Sequence, residues 1–209
     1  MARSARFKEL RRRLFELRRH MLPAKFSATG VYRPRELDRA RGFRLLAHAE
    51  IEAFIEDVTF QIAKQSVSNW VNQRVASGSL FCLIAHYHSG FGIDLDEQPA
   101  FSSASRPRVK EAIEEVVAVA LKQYRAIHDQ NHGVREENIY RLVLPIGIRK
   151  DDLDPLWITN LNEFGKSRGD VAHRAVKVHQ QIDPRNEWQV VSNLIEGLEQ
   201  LDELICSLR

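Results

Sequence analysis

Between Pro34 and about Ala76 the chain contains no proline after the first position and no glycine except Gly42. Within it Phe43, Ala47, Ile51, Phe54, Val58 and Ile62 recur at spacings of three and four, the period of one helix face. The spacing predicts one helix of unusual length, opened by Pro34 in its first turn, where the missing N–H costs no hydrogen bond. A chain built on such an element is read as helical throughout unless a strand pattern contradicts it. No alternating strand pattern appears outside residues 78–106.

The N-terminal segment has a second stripe, Phe7, Leu10, Leu14, Leu17 and Met21, on an otherwise basic helix. Residues 1–20 hold eight Lys and Arg against Glu9 and Glu16, a net +6 in a chain of net +3, so the remainder is acidic on balance. The stripe must dock on the rest of the chain or on a twin subunit. The basic face, with Arg11, Arg12 and Arg13, is a candidate for nucleic-acid phosphates. On that reading, removing residues 1–20 would weaken nucleic-acid binding and its salt dependence.

Further along, Val109, Ile113, Val116, Ala120, Tyr124 and Ile127 predict a helix ending near His132-Gly133, and Glu136 to Ile146 a shorter one. Asp154-Pro155 opens a helix through Leu161 and Phe164 that Gly165 is expected to end. Ser167 and Asp170 have capping-box spacing for a fresh start at Arg168, and Asp183-Pro184 opens a last helix with Trp188, Val191, Ile195, Leu198, Leu201 and Ile205 inward. Gly78, Gly90, Gly92, Pro99 and the serines at 102, 103 and 105 mark residues 78–106 as a loop-rich insertion. The expected fold class is all-α: an up-and-down bundle of four to five long helices with short accessory helices. Residues 1–22 form its basic helical arm and 34–207 its helical domain.

The two cysteines, Cys82 and Cys206, lie in apolar sequence and suit a reducing compartment. No run reaches the roughly 18 apolar residues of a membrane span. The expectation is a cytoplasmic protein without a membrane partner. No P-loop, G-x-G-x-x-G, H-E-x-x-H or paired C-x-x-C is present, and Gly90-Phe91-Gly92 reads as a turn. His86, His88, Asp94 and Asp96 have ligand chemistry, but in a polar, glycine-rich loop of a chain with eight histidines they do not make a metal site. Neither metal nor other cofactor is expected. Glu50 and Glu52 stand among apolar residues of the long helix, with Glu50 bordering the Ala47, Ile51, Phe54 face as a carboxylate that could support a site.

The segment from Lys166 to Lys177 is the one that carries chemistry. Arg168 and His173, with Lys166, Arg174 and Lys177 around them, can perform phosphoryl transfer without metal. A neutral imidazole takes the proton of an attacking hydroxyl, and a guanidinium fork holds the phosphate oxygens as charge develops. In RNA the attacking group is the ribose 2′-OH, already in the substrate. Positions five apart on an ideal helix lie about 140° apart around its axis. One helix therefore needs either a distorted first turn beside Gly169 or a second copy of the motif across a two-fold axis.

This segment resembles the R-x4–6-H motif of ribonuclease members of the HEPN superfamily. Arg168-Gly-Asp-Val-Ala-His173 is similar to the R-G-x-x-A-H of the RiboL-PSP-HEPN group, and Arg41 to Glu56 resembles its long early helix. The resemblance spans about residues 36–207. It implies a metal-independent endoribonuclease, with Arg168 and His173 catalytic, Asp170 and Glu50 supporting, and Lys166, Arg174, Lys177, Arg11, Arg12 and Arg13 binding RNA. It further implies a homodimer, a role as toxin or effector in a toxin–antitoxin or phage-defence system, and a cognate antitoxin as partner. The alternative within the same superfamily is an inactive nucleic-acid-binding or dimeric adaptor module. Gly169 stands where many HEPN motifs carry Asn, Asp or His. Ala175 stands where some HEPN toxins carry a tyrosine modified by a partner nucleotidyltransferase, so that route of regulation is not implied.

Overall fold

The computed structural model describes residues 3–87, 109–173 and 182–208, with backbone alone at 109–112 and 169–173. Seven α-helices and no strand occur among the described residues, which is an all-α bundle. They are α1 (Ala5–Met21), α2 (Pro34–Gln73), α3 (Gly78–His86), α4 (Val109–Asp129), α5 (Glu136–Val143), α6 (Pro155–His173) and α7 (Pro184–Ser207). None is long and apolar enough to cross a membrane.

The 40-residue α2 is the axis of the bundle and packs on all six other helices. Pro34 occupies its first turn, and the Glu36 carboxylate accepts the Arg33 N–H at 2.8 Å to close the N-terminus. All six apolar positions that define its period are buried, joined by Ala40, Ile55 and Ala63. Phe7, Leu10, Leu14 and Leu17 of α1 are buried in the same core, with the Phe7 ring edge-on to Phe54 at 6.0 Å. The basic helix thus docks on its own chain, against α2 and α7. Removing residues 1–20 would strip four core side chains at about 2–5 kcal/mol each, so truncation tests folding rather than RNA affinity.

Two sequence expectations differ from the fold. The loop-rich stretch begins with a helix: Ser77 caps α3 by accepting the Leu80 N–H at 3.2 Å, and Leu80 and Leu83 are buried. Gly78 sits in that helix's first turn, where a glycine is tolerated, so it reads as a breaker only in isolation. His86 ends α3 exposed, while His88, Asp94 and Asp96 lie outside the described residues.

The second difference is α6, which Gly165 does not end. The helix continues through Ser167 and Arg168 to His173. A side chain at Gly165 would press on the Arg135 backbone nitrogen at 3.3 Å and on Val134. The glycine is there because the connection between α4 and α5 crosses α6 at that point. Ser167 caps nothing: its hydroxyl donates to the Phe164 carbonyl one turn back, at 2.7 Å.

Candidate active site

Arg168 is the fourteenth residue of the 19-residue α6, so the motif lies within a continuous helix and its arginine is not in a first turn. The helix starts where the sequence placed it, with Asp154 accepting the Leu156 N–H at 2.9 Å. Trp157, Ile158, Leu161 and Phe164 bury its inner face and fix its rotation. Arg168 is half-buried, and Lys166 is exposed and paired with Glu163 at 2.6 Å. Asp170 and His173 belong to α6 by their backbone alone, while Arg174 and Lys177 lie outside the described residues.

On α2 the carboxylate near Arg168 is Glu52, where the sequence pointed to Glu50. Residues two apart on a helix lie about 200° apart, so the two face opposite sides. Glu50 faces α1 and is held by Arg13 at 2.9 Å. Glu52 belongs to a polar stripe, His48, Glu52 and Glu56, at helical spacing along one side of α2. The His48 ring is 1% exposed, tilted against Phe164 at 5.7 Å, with Nδ1 3.4 Å from the Glu52 carboxylate. Its Nε2 is buried and has no hydrogen-bond partner among the described residues.

Burial alone would raise the Glu52 carboxyl. The His48 ring, the Gly133 N–H and the charge of Arg168 outweigh it and hold Glu52 below the usual carboxylate range. Gly133 can turn that N–H inward because its φ of +124° suits glycine. Its loop is tied down by Asn131, which donates to Glu56 at 2.7 Å and to the Gly133 carbonyl at 3.2 Å and accepts from Asn138 at 2.9 Å. Three elements thus meet around Glu52: α2, the loop after α4, and α6 through Arg168. His48, Glu56, Asn131 and Asn138 were not singled out from sequence, although the i, i+4, i+8 polar stripe on α2 was a readable signal.

Glu56 shows the opposite balance. Burial raises its carboxyl, and the negative Glu52 adds to the rise beyond what Asn131 offsets. A carboxyl whose folded pKa is raised opposes folding once it is ionised, above its unfolded value. Glu56→Gln, which keeps an acceptor for Asn131, is therefore expected to raise the melting temperature by about 1–2 °C at pH 7. The gain should vanish below about pH 4, where both forms are neutral. A gain that persisted at low pH, or a loss at pH 7, would contradict this placement of Glu56.

Beside Ser167 a cleft of about 350 Å³ opens between α6 and α7. Asn160, Phe164 and Ser167 form one wall and Asn186, Glu187 and Asn193 the other. At its base Arg44 clamps Glu187 with both ends of its guanidinium, one bond at 2.7 Å, and Glu187 is only 4% exposed. Amides and a hydroxyl make this a hydrogen-bonding wall suited to polar edges. No group of three or more His, Cys, Asp or Glu side chains among the described residues is placed to hold a metal ion.

On α1 the cations divide. Arg13 is committed to Glu50 and Arg12 pairs with Glu16, whereas Arg11 makes no ion pair with a described residue.

No curated protein and no solved structure matched the chain. The RiboL-PSP-HEPN family model matches it over residues 8–207, from within α1 to the end of α7, and the chain belongs to that family.

Proposed function

We propose that this protein is a metal-independent endoribonuclease that cleaves RNA through Arg168 and His173. The observation that carries the reading is the position of Arg168: late in α6, five residues before His173, with its charge felt by the Glu52 carboxylate of α2. In this reading the His173 imidazole takes the proton of a ribose 2′-OH. The 2′-oxygen attacks the adjacent phosphorus, the bond to the 5′-oxygen breaks, and a protonated imidazole supplies that oxygen with a proton. The Arg168 fork stabilises the added charge on the non-bridging oxygens. Glu52 is a positioning residue: its negative charge on α2 attracts the Arg168 guanidinium without touching substrate. Lys166, Arg174 and Lys177 add positive charge along the strand, and Asp170 supports the motif from the same turn of α6.

The active species is a two-fold homodimer. With Arg168 well inside a continuous helix, a distorted first turn no longer brings the two motif residues together, and a second copy of the motif supplies the missing group. A toxin or effector of a bacterial toxin–antitoxin or defence system, held in check by an antitoxin protein, is the setting that suits such an activity.

The test is incubation of purified protein with total RNA in excess EDTA. Cleavage should persist and leave a 2′,3′-cyclic phosphate and a 5′-hydroxyl. Activity lost on chelation and restored by zinc or manganese would overturn the mechanism, and no cleavage by pure, folded protein would leave a non-catalytic module.

A further inference from the structure

α1 and the segment after it form a second cleft, of about 550 Å³, lined by Arg12, Phe15, Glu16, Arg18, Arg19 and Ala24, in which the one carboxylate, Glu16, is paired with Arg12 and Arg13. Phe15 lies one residue off the buried stripe and is 46% exposed, so the core does not account for it. It meets the Trp188 ring edge-on at 5.2 Å, and Trp188 in turn meets Phe43 at 6.3 Å. The Arg18 guanidinium carbon stands over Phe26 at 4.5 Å and 6.0 Å from the centre of the Trp188 ring, and that of Arg185 reaches Phe26 at 6.0 Å. Arg11 stands 5.9 Å above Phe15.

Two properties of this surface go together. Its aromatic rings are assembled from three separate segments, α1, the following loop and α7, which makes a platform. Its cations are largely uncommitted: Arg11, Arg18 and Arg19 make no ion pair with a described residue, whereas Arg3, Arg6, Arg12 and Arg13 each hold a carboxylate. Guanidiniums stacked on rings are held in place while their N–H edges stay free to donate. A polyanion whose monomers each carry a flat ring matches both properties, and single-stranded nucleic acid is that polymer.

We infer that Phe15, Arg18 and Arg19, with Phe26 and Trp188 beneath them, form an accessory subsite for single-stranded RNA, taking a base on the exposed ring and the flanking phosphates on the guanidiniums. The inference rests on the RNA reading above and extends it to a surface away from the motif. The link between the two surfaces is α7 itself. Glu187 faces the cleft beside Ser167 and Trp188 faces the α1 platform, and their α2 partners, Arg44 and Phe43, are likewise adjacent. A strand crossing the start of α7 passes from one surface to the other.

The experiment measures binding of a fluorescein-labelled 2′-O-methyl oligouridylate of about 12 nucleotides to the full chain. This RNA cannot be cleaved, so affinity is read apart from catalysis. Phe15→Ala should weaken binding about tenfold, as loss of one stacked base does. Arg19→Glu should weaken it and flatten its dependence on salt. Arg19 is exposed and Phe15 lies outside the buried core, so thermal melts should stay within a few degrees of wild type. Affinity and salt slope unchanged in both variants would overturn the subsite. So would wild-type protein that ignores the oligonucleotide but binds vesicles of mixed phosphatidylserine and phosphatidylcholine, which would make the patch a lipid surface. Cleavage of a dinucleotide together with unchanged oligonucleotide binding in the variants removes the subsite and keeps the ribonuclease. Weakened binding in the variants of a protein that cuts no RNA does the reverse.

Discussion

His173→Ala is expected to lower RNA cleavage about 10²–10⁴-fold and Arg168→Ala about 10²–10³-fold, each shifting the melting temperature by no more than a few degrees. A positioned base contributes about 10²–10⁴ in rate, and a preorganised donor to developing charge about 10²–10³. The arginine is half-buried beside Glu52, so its loss releases the Glu52 carboxyl toward a higher pKa without opening a cavity in the apolar core. Arg168→Lys separates charge from geometry, because an ammonium keeps the charge and loses the fork. If the site is shared across a two-fold axis, mixing the two inactive alanine variants and allowing subunit exchange should restore about a quarter of wild-type activity. Half the dimers are then mixed, and each of those has one complete site. Mixed dimers that form and stay inactive would mean that each chain builds its own site. Full activity in either single variant would remove the motif from the chemistry altogether.

How much of this was legible in the sequence depends on whether a residue's role was set by its neighbours in the chain or by those across the fold. The stripes of α1, α2 and α7 were readable because burial on one side of a helix imposes a period, whereas in α4 Ile113 of the expected stripe is exposed and Val117, outside it, is buried. The caps at Ser77 and Asp154 are equally local, and α3 was missed only because glycine and serine outweighed a short apolar run. Gly165 is different in kind. Nothing within a few residues distinguishes a glycine that ends a helix from one that admits the Val134–Arg135 backbone against it.

The site divides in the same way. Arg168 and His173 are close enough in sequence to be proposed as a pair from the sequence alone. Glu52 could be preferred to Glu50 only once Arg13 was seen to occupy Glu50 and the Gly133 loop to cover Glu52. His48 and Gly133 stand more than 80 positions apart in the sequence and meet around that carboxylate. The RiboL-PSP-HEPN family was recognisable before the fold because both stretches that identify it, the early part of α2 and the end of α6, are continuous.

The rigidity of that arrangement can be tested where α6 and α7 touch most closely. Gly197 lies in the middle of α7, where replacing glycine by alanine would ordinarily add about 1 kcal/mol of stability. Here a Cβ would overlap Cδ1, Cγ and Nε1 of the Trp157 indole. Trp157 is 5% exposed and donates its N–H to the Leu194 carbonyl at 3.2 Å, so the ring has no free direction in which to retreat. Gly197→Ala is therefore expected to cost about 3 kcal/mol, the sum of an overpacked contact, a loosened hydrogen bond and a displaced ring, less the gain in helix propensity. For a chain of this size that is a fall of about 6–12 °C in melting temperature. The pair can be separated by a cycle: in a Trp157→Ala background, already weakened by the lost ring, the same Gly197→Ala change should be neutral or stabilising. Equal losses in both backgrounds would mean that the glycine serves something other than the indole. Because Trp157 sets the seat of α6 on α7 and α6 carries both motif residues, the glycine at position 197 sets where Arg168 stands relative to Glu52. Cleavage should accordingly fall in Gly197→Ala even at temperatures where the variant is fully folded.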